Sequence, residues 1–286
     1  MPEISVEKLR HVYGAGTPFE RTAIEDISLS IPQGQFVAVI GRTGSGKSTF
    51  VQHLNALLSP SSGRVLWDGA DINRDKKSRK EIRHKVGLVF QYPEYQLFEE
   101  TVWADIAFGP KNMGLGRSEL DERVREAADF AGVEEELFQR SPLELSGGQK
   151  RRIAIAGVIA MRPEVLILDE PTAGLDPAGC AQITGNIRRY REATGSTVLI
   201  VSHSMDDAAA LAERLLVFDR GHIAMDGSPK EVFSRPEELR ALGLDLPSAA
   251  AIALALRRRG VPLPGGIFSH EQLLAAILER RGAAPC

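Results

Sequence analysis

The sequence predicts an α/β fold: a parallel sheet flanked by helices, an N-terminal antiparallel β subdomain, an inserted helical subdomain and a small C-terminal helical appendage. Four short runs are continuously apolar and rich in β-branched residues, which is typical of strands covered on both faces. The N-terminal segments alternate between apolar and polar residues instead. Between the second and third runs, a long stretch has apolar residues at helical spacing.

The N-terminal segment, residues 3–31, has the pattern of half-exposed antiparallel strands. In "ISLSI", the three apolar residues point to one side of a strand and the two serines point to the other. Residues 63–69, "GRVLWDG", form a similar short strand that ends in a turn signal. These segments predict the antiparallel β subdomain.

The four apolar runs predict the strands of the parallel sheet. They are "QFVAVIG" (35–41), "KVGLVF" (85–90), "EVLILDE" (164–170) and "STVLIVSH" (196–203). Polar residues follow each run at its carboxyl end, which is the edge where open α/β sheets bind their ligands. We therefore expect a binding site along that edge.

Helical patterns between the strands and after them complete the predicted organisation. The core is predicted over residues 3–230, with the helical subdomain inserted at about 92–163. Residues 214–227, "RLLVFDRGHIAMDG", contain a turn between two strand patterns and predict a hairpin at the sheet edge.

The composition changes from about residue 231, where short amphipathic helices follow one another. The second of them opens with a capping box from Ser269 to Gln272. We interpret residues 231–286 as a small C-terminal helical appendage.

The bulk composition excludes several classes of function. Hydrophobic residues make up 43% and the net charge is −3, so a core can form but no overall basic field exists to hold nucleic acid. The start, "MPEISVEKLR", predicts no signal peptide, and no apolar run approaches the ~18 residues that would span a bilayer. Cys180 and Cys286 have no partner motif and are expected to be reduced thiols in a cytosolic protein.

The stretch "GRTGSGKST" (41–49) follows an apolar strand and precedes a helical pattern, and it matches G-x-x-x-x-G-K-[ST]. Glycines let backbone N–H groups converge on phosphate oxygens, Lys47 can reach the β and γ phosphates, and Ser48 can offer its hydroxyl to Mg²⁺. The alternative is a glycine-rich turn without a ligand. The predicted ATP-binding residues here are Gly41, Arg42, Thr43, Gly44, Ser45, Gly46, Lys47, Ser48 and Thr49.

Three other strand ends carry residues suited to phosphate chemistry. Asp169 can serve Mg²⁺, and Glu170 can act as the general base that activates a water. His203 can hold that water or the γ-phosphate, and Gln91 can contribute a carbonyl oxygen to Mg²⁺. Each residue also has an ordinary structural interpretation, and the P-loop beside them favours the functional one.

With these pieces in order, the chain resembles a P-loop NTPase of the ATP-binding cassette (ABC) ATPase class over about residues 3–230. Six motifs occur in the family order, and "LSGGQ" in particular distinguishes this class from other P-loop proteins. The matching segments are 41–49 (Walker A), Gln91 (Q-loop), 145–149 (signature), 165–170 (Walker B), 173–177 (D-loop) and His203 (H-loop).

The resemblance implies a dimer in which ATP lies between two cassettes. The signature would grip the γ-phosphate of ATP held by a second subunit, and Asp176 would cross to that subunit. An N-terminal aromatic would stack on adenine, for which Tyr13 is the candidate and Phe19 a competitor. The signature residues assigned to the partner's nucleotide are Ser146, Gly147, Gly148 and Gln149.

Residues 91–110, "QYPEYQLFEETVWADIAFGP", are rich in aromatics at the place where ABC ATPases meet a membrane partner. This stretch resembles the ATPase subunits of energy-coupling factor (ECF) transporters, and "YGAGTPFERTAIEDISLSI" is similar to the second of their two paralogous ATPases. The resemblance implies a peripheral ATPase on the cytoplasmic side of the cell membrane, energising uptake of vitamins or other micronutrients. It also implies that the C-terminal helices, residues 231–286, are a dimerisation appendage, which they match in position and length.

Its expected partners are a second ATPase subunit, either a copy or a paralogue, an integral membrane scaffold subunit and a substrate-binding membrane subunit. The alternatives are the ATPase of another ABC importer, or a soluble ABC ATPase that does not serve transport.

Overall fold

The structure is a computed structural model that describes residues 3–282. Its strands are β1 (Glu3–Tyr13), β2 (Arg21–Pro32), β3 (Phe36–Gly41), β4 (Ser62–Trp67), β5 (Ala70–Asp71), β6 (Val86–Val89), β7 (Val165–Asp169), β8 (Thr197–Val201), β9 (Arg214–Asp219) and β10 (His222–Gly227). Its α-helices are α1 (Lys47–Leu54), α2 (Lys76–Lys85), α3 (Val102–Asn112), α4 (Arg117–Ala131), α5 (Gly147–Ile159), α6 (Pro177–Thr194), α7 (Met205–Leu211), α8 (Pro229–Phe233), α9 (Pro236–Ala241), α10 (Ser248–Arg258) and α11 (His270–Gly282). Short 3₁₀ helices span Pro93–Gln96, Glu135–Leu137 and Pro142–Glu144.

The main sheet has six strands in the order β10-β9-β3-β8-β7-β6. The pairs from β9 to β6 are parallel, and β10 pairs antiparallel with β9 as the edge hairpin expected from residues 214–227. A second sheet, in the order β2-β1-β4-β5, is antiparallel. The predicted α/β architecture is therefore confirmed, and β8 lies between β3 and β7.

The strands of the main sheet are apolar throughout because each face covers a different core. In β3, Phe36, Ala38 and Ile40 pack with helices α3 to α7, whereas Val37 and Val39 pack with α1 and the antiparallel sheet. Strands β7 and β8 divide their side chains between the same two cores. Because both faces of the sheet are covered, the polar residues of these segments are confined to the strand ends.

Helices α3, α4 and α5 pack on one another, and α5 also lies against β6. The approach of α5 to the sheet is close at Gly87, where an added Cβ would lie 2.6 Å from Val158 Cγ1 and 3.1 Å from Pro163 Cγ. This contact positions the signature helix α5 relative to the strand that leads to Gln91.

The C-terminal helices α10 and α11 have a small core of their own, formed by Ala249, Ala253, Leu263, Ile267 and Leu273. The capping box is present, since Ser269 N donates to Gln272 Oε1 at 3.1 Å and Gln272 N donates to Ser269 Oγ at 3.2 Å. The division into core, insert and dimerisation appendage stays a prediction, and Cys286 lies outside the described residues. Among the helices of residues 3–282, none is long and apolar enough to cross a membrane.

We predict that Gly87→Ala destabilises the fold by about 1–3 kcal/mol, because the new methyl group overpacks the contact between β6 and α5. Gly185→Ala is the matched control: it lies within α6, and a Cβ there meets nothing within 4 Å. That change is expected to be neutral or to stabilise by up to about 1 kcal/mol. Urea denaturation measures both, and a Gly87→Ala chain as stable as the wild type would contradict the packing argument.

Candidate nucleotide site

The P-loop joins β3 to α1 and depends on glycine at two positions with positive φ. Gly41 has φ 149°, and a Cβ there would lie 2.4 Å from the carbonyl oxygen of Phe218. Gly46 has φ 109°, and a Cβ would lie 2.7 Å from the carbonyl oxygen of Ala23. A side chain at either position would therefore clash with neighbouring backbone. The N-terminus of α1 carries no side-chain cap, and its first residues line the adjoining cavity.

Lys47 is buried at the base of this loop, with only 5% of its surface exposed. Its Nζ donates to the carbonyl oxygens of Gly41 at 2.7 Å and Arg42 at 3.0 Å. Burial lowers the pKa of Lys47, and the nearby carboxylates of Glu170 and Asp169 act in the opposite direction. The ammonium is therefore held against the loop by two carbonyl oxygens.

Asp169, at the end of β7, is buried and incompletely satisfied. Its Oδ1 has no hydrogen-bond partner within residues 3–282, and the same is true of the buried Ser45 Oγ. Burial raises the pKa of the Asp169 carboxyl, whereas the neighbouring Ser48 hydroxyl and the charge of Lys47 oppose that rise. A buried carboxylate oxygen beside a serine hydroxyl fits a hard divalent cation, which prefers oxygen ligands.

Glu170 lies between two of the other predicted residues. His203 Nε2 is 2.8 Å from Glu170 Oε1, and Gln91 Nε2 donates to Glu170 Oε2 at 2.8 Å. The glutamate has φ 52°, a strained value for a residue with a side chain, and its backbone N donates to the Val201 carbonyl at 2.9 Å. The ends of β6, β7 and β8 therefore converge on one carboxylate.

Tyr13 lines a cavity of about 180 Å³ together with P-loop residues. Its Oη lies 3.3 Å from Thr49 Oγ1, and Arg21 and Ala23 also line the cavity. Phe19, the competing aromatic, is 87% exposed and is absent from the residues that line this cavity. Of the two candidates, the geometry favours Tyr13.

The signature begins α5 with a reciprocal cap. Ser146 Oγ accepts from Gln149 N at 3.3 Å, and Ser146 N donates to Gln149 Oε1 at 3.0 Å. A Cβ at Gly147 would meet nothing within 4 Å, and one at Gly148 would meet only Arg152 Nη1, at 4.0 Å. Nothing in the described part of the chain therefore requires glycine at these two positions, although glycine weakens a helix.

Asp176, predicted to cross to a second subunit, caps α6 of its own chain. Its Oδ1 accepts from Gly179 N at 2.7 Å, and Pro177 occupies the first helical position. The order Asp-Pro-x-Gly already indicates such a cap in the sequence.

Sequence analysis missed Arg151, which links the signature helix to the rest of the site. The side chain is buried, and its Nη2 lies 3.1 Å from Glu94 Oε1. Its Nη1 donates to the carbonyl oxygens of Pro171 at 3.3 Å and Ala173 at 2.5 Å. Arg151 thus ties α5 to the segments that follow Gln91 and Glu170. The surrounding sequence, "GGQKRR", gives no indication that Arg151 is buried and the neighbouring basic residues are not.

Another missed residue is His53, which is fully buried on α1 behind the nucleotide cavity. Its Nδ1 lies 2.7 Å from the carbonyl oxygen of Thr49. Burial lowers the pKa of His53 from its ordinary value of 6.5 to about 4, although hydrogen bonding to Thr49 acts in the opposite direction. The imidazole is therefore neutral near pH 7 and contributes no charge to the site.

The sequence of this chain is similar to those of many known proteins. The family profile described as "ABC transporter" matches residues 24–173. The "Energy-coupling factor transporter ATP-binding protein EcfA2" of Caldanaerobacter subterraneus is 51% identical over 275 residues, which are 96% of either chain. The protein of the same name from Symbiobacterium thermophilum is 52% identical over 274 residues, covering 96% of this chain and 95% of the relative.

Solved structures agree with these relatives. The structure of cbiO1 from Clostridium perfringens, described as part of the ABC transporter complex cbiONQ, superposes with a TM-score of 0.74 at 39% identity, covering 88% of this chain and 98% of that one. The ATP-binding cassette MJ0796, a dimer bound to ADP and Pi in a post-hydrolysis state, gives a TM-score of 0.72 at 28% identity, covering 79% and 98%.

We predict that His53 makes the free energy of unfolding depend on pH between about 4 and 6.5. Because the folded-state pKa is the lower one, the unfolded chain binds the extra proton in this window, so stability is full above pH 6.5 and falls as the pH drops toward 4. The loss amounts to about 3 kcal/mol.

Denaturation of the wild type and of His53→Asn at pH 7 and pH 4.5 isolates this contribution from that of other groups. The difference in stability between the two chains should shrink at the lower pH. A difference that does not change with pH would show that His53 titrates normally.

Proposed function

This chain belongs to the ABC transporter family, and we propose that it is the ATP-hydrolysing subunit of an ECF-type importer that drives uptake of vitamins or other micronutrients through a membrane partner. The observation that carries the hydrolytic role is the carboxylate of Glu170, held between His203 and Gln91 beside the P-loop. Two relatives that are 51% and 52% identical to this chain are named as ATP-binding proteins of energy-coupling factor transporters, which supports the transport role.

ATP binding is assigned to the P-loop and Tyr13. Backbone amides at the N-terminus of α1 and the ammonium of Lys47 would bind the phosphates, and the ring of Tyr13 would stack on the base at the other end of the cavity. On meeting the phosphates, Lys47 would exchange its bonds to the carbonyls of Gly41 and Arg42 for bonds to phosphate oxygens.

Hydrolysis is assigned to Glu170 acting as general base. Each of its carboxylate oxygens already accepts one hydrogen bond and has a lone pair left for a water molecule. As the water oxygen bonds to the γ-phosphorus, its proton passes to Glu170, and the bond from the γ-phosphorus to the bridging oxygen of ADP breaks. His203 and Gln91 fix the carboxylate in the position from which it can take that proton.

Mg²⁺ would be held by Asp169, Ser48 and Gln91, and its bound charge would offset that of the triphosphate. The buried Asp169 Oδ1, which lacks a partner in the described residues, fits this role. Gln91 uses its amide nitrogen on Glu170, and its carbonyl oxygen would be available as a ligand to the cation.

A second cassette would complete the site. The glycines of the signature lie at an exposed helix N-terminus with free space around them, as an anion-binding surface for another subunit's γ-phosphate requires. Asp176 would cross to that subunit and couple the two sites, and its cap on α6 would fix the start of that helix at the interface.

The membrane partner is assigned to a groove of about 600 Å³ between α2, α3, α5 and the segment after Gln91. Phe98 and Phe108 line it and pack edge to face at 4.8 Å, and they are 65% and 40% exposed. Asp105 fixes the position of Phe98, because its Oδ1 accepts a hydrogen bond from the backbone N of Phe98 at 3.2 Å. We assign this aromatic groove to a helix of the integral scaffold subunit, on the cytoplasmic side of the membrane.

The hydrolytic role predicts that Glu170→Gln binds ATP like the wild type but releases phosphate at least about 100-fold more slowly, because the general base is gone. Nucleotide titration and phosphate release measure the two properties. Glu164→Gln, at the opposite end of β7, is the matched control and should retain its turnover. Wild-type turnover by Glu170→Gln would remove Glu170 from its role.

The groove predicts that Phe98→Asp abolishes capture of the membrane scaffold subunit by the tagged chain from detergent-solubilised membranes, because a charge is placed in the aromatic surface. ATP binding should be unchanged. Phe19→Asp, which adds the same charge at another exposed phenylalanine, should capture the scaffold normally. Normal capture by Phe98→Asp would place the partner elsewhere.

A further inference from the structure

Two histidines lie behind the nucleotide cavity and have no place in the mechanism above. His53 is fully buried on α1 and His11 is 9% exposed on β1, two residues before Tyr13. We propose that His11 and His53 are positioning residues that hold the ring of Tyr13 and the first turn of α1 in a fixed relation, and so set the affinity for the base of the nucleotide.

The contacts between these residues form a closed circuit. Thr49 O faces His53 Nδ1 at 2.7 Å, and His53 Nε2 faces His11 Nδ1 at 3.2 Å. The ring of His11 meets the ring of Tyr13 edge to face, with 4.5 Å between centroids. Tyr13 Oη then returns to Thr49 Oγ1 at 3.3 Å. The aromatic ring of Tyr13 is thus held by its contact with the His11 ring and at its hydroxyl, and both contacts lead to Thr49.

The acceptors determine where the protons of the circuit lie. A carbonyl oxygen only accepts, so His53 Nδ1 carries a hydrogen and donates to Thr49 O. The low pKa of His53 keeps the ring neutral, which leaves Nε2 as an acceptor. His11 Nδ1 therefore donates to His53 Nε2, and it shares the same hydrogen with Ser59 O at 3.2 Å.

This arrangement joins three parts of the chain around the base end of the cavity. Ser59 follows α1, Thr49 lies in its first helical turn next to Ser48, and Tyr13 ends β1. Helix α1 enters the circuit through Thr49 and His53, whereas residues 41–48 of the P-loop make none of its contacts. We therefore expect the circuit to affect the base end of the nucleotide and not the phosphate end.

The inference rests on the proposed ATP-binding function, and its test separates the base from the phosphates. Calorimetric titration of the full-length chain with MgATP and with inorganic tripolyphosphate plus Mg²⁺ would compare the wild type with His53→Asn. The asparagine amide can still donate toward Thr49 O but offers nothing at the position of Nε2. We expect ATP affinity to fall about three- to tenfold and tripolyphosphate affinity to stay the same.

A double-mutant cycle tests whether the histidines act through Tyr13. If they do, His53→Asn has no further effect on ATP affinity in the Tyr13→Ala background. His11→Phe keeps an aromatic ring against Tyr13 but lacks the donor, so it should resemble His53→Asn and serves in its place if that chain does not fold. His84→Asn, a change of the same type on α2, is the control.

Equal losses of ATP and tripolyphosphate affinity, or losses that add in the double variant, would overturn the positioning role and leave the proposed function intact. A wild-type chain that binds no ATP would overturn the proposed function, and the positioning role with it.

Discussion

Charged groups at the edge of a buried sheet are the constraint on which the rest of this protein depends. Lys47 and Asp169 are both nearly inaccessible to water, and Glu170 lies in a strained conformation beside them. Such groups are costly unless they meet partners. Lys47 donates hydrogen bonds to two carbonyl oxygens, and the Glu170 carboxylate contacts two nitrogen donors. One oxygen of Asp169, in contrast, has no hydrogen-bond partner in the described chain. This arrangement fits the proposed ligand, which would bring negative phosphates and a cation together.

The same edge explains how distant segments act together. Gln91 and His203 lie on opposite sides of Glu170 because β7 is flanked by β6 and β8. Arg151 then connects this centre to the signature helix through Glu94 and the backbone after Glu170. These contacts connect Glu170 to both the signature helix and the segment that borders the aromatic groove.

Much of the fold could be predicted from the sequence because its strongest signals are local. The four apolar runs identify buried strands. Because ligands bind at the carboxyl ends of such strands, the sequence alone predicts a site at one edge of the sheet, formed by Gln91, Asp169, Glu170 and His203. The rest depends on contacts between residues far apart in the chain. Arg151 and Glu94 are separated by 57 positions, and His11 and His53 by 42, so no periodicity or spacing indicates that they meet. Buried polar pairs of this kind become visible only once the two cores have been assembled.

The central claim is that one chain holds half of each catalytic site and that the exposed signature completes the site of another chain. It is tested most directly by measuring ATP turnover per chain against protein concentration, for the wild type and for Gly147→Glu, whose added carboxylate would repel a phosphate. The account predicts turnover per chain that rises with concentration, and a Gly147→Glu protein that binds ATP normally but turns over at least about 100-fold more slowly. Turnover independent of concentration by a strictly monomeric chain, with full activity in Gly147→Glu, would contradict it.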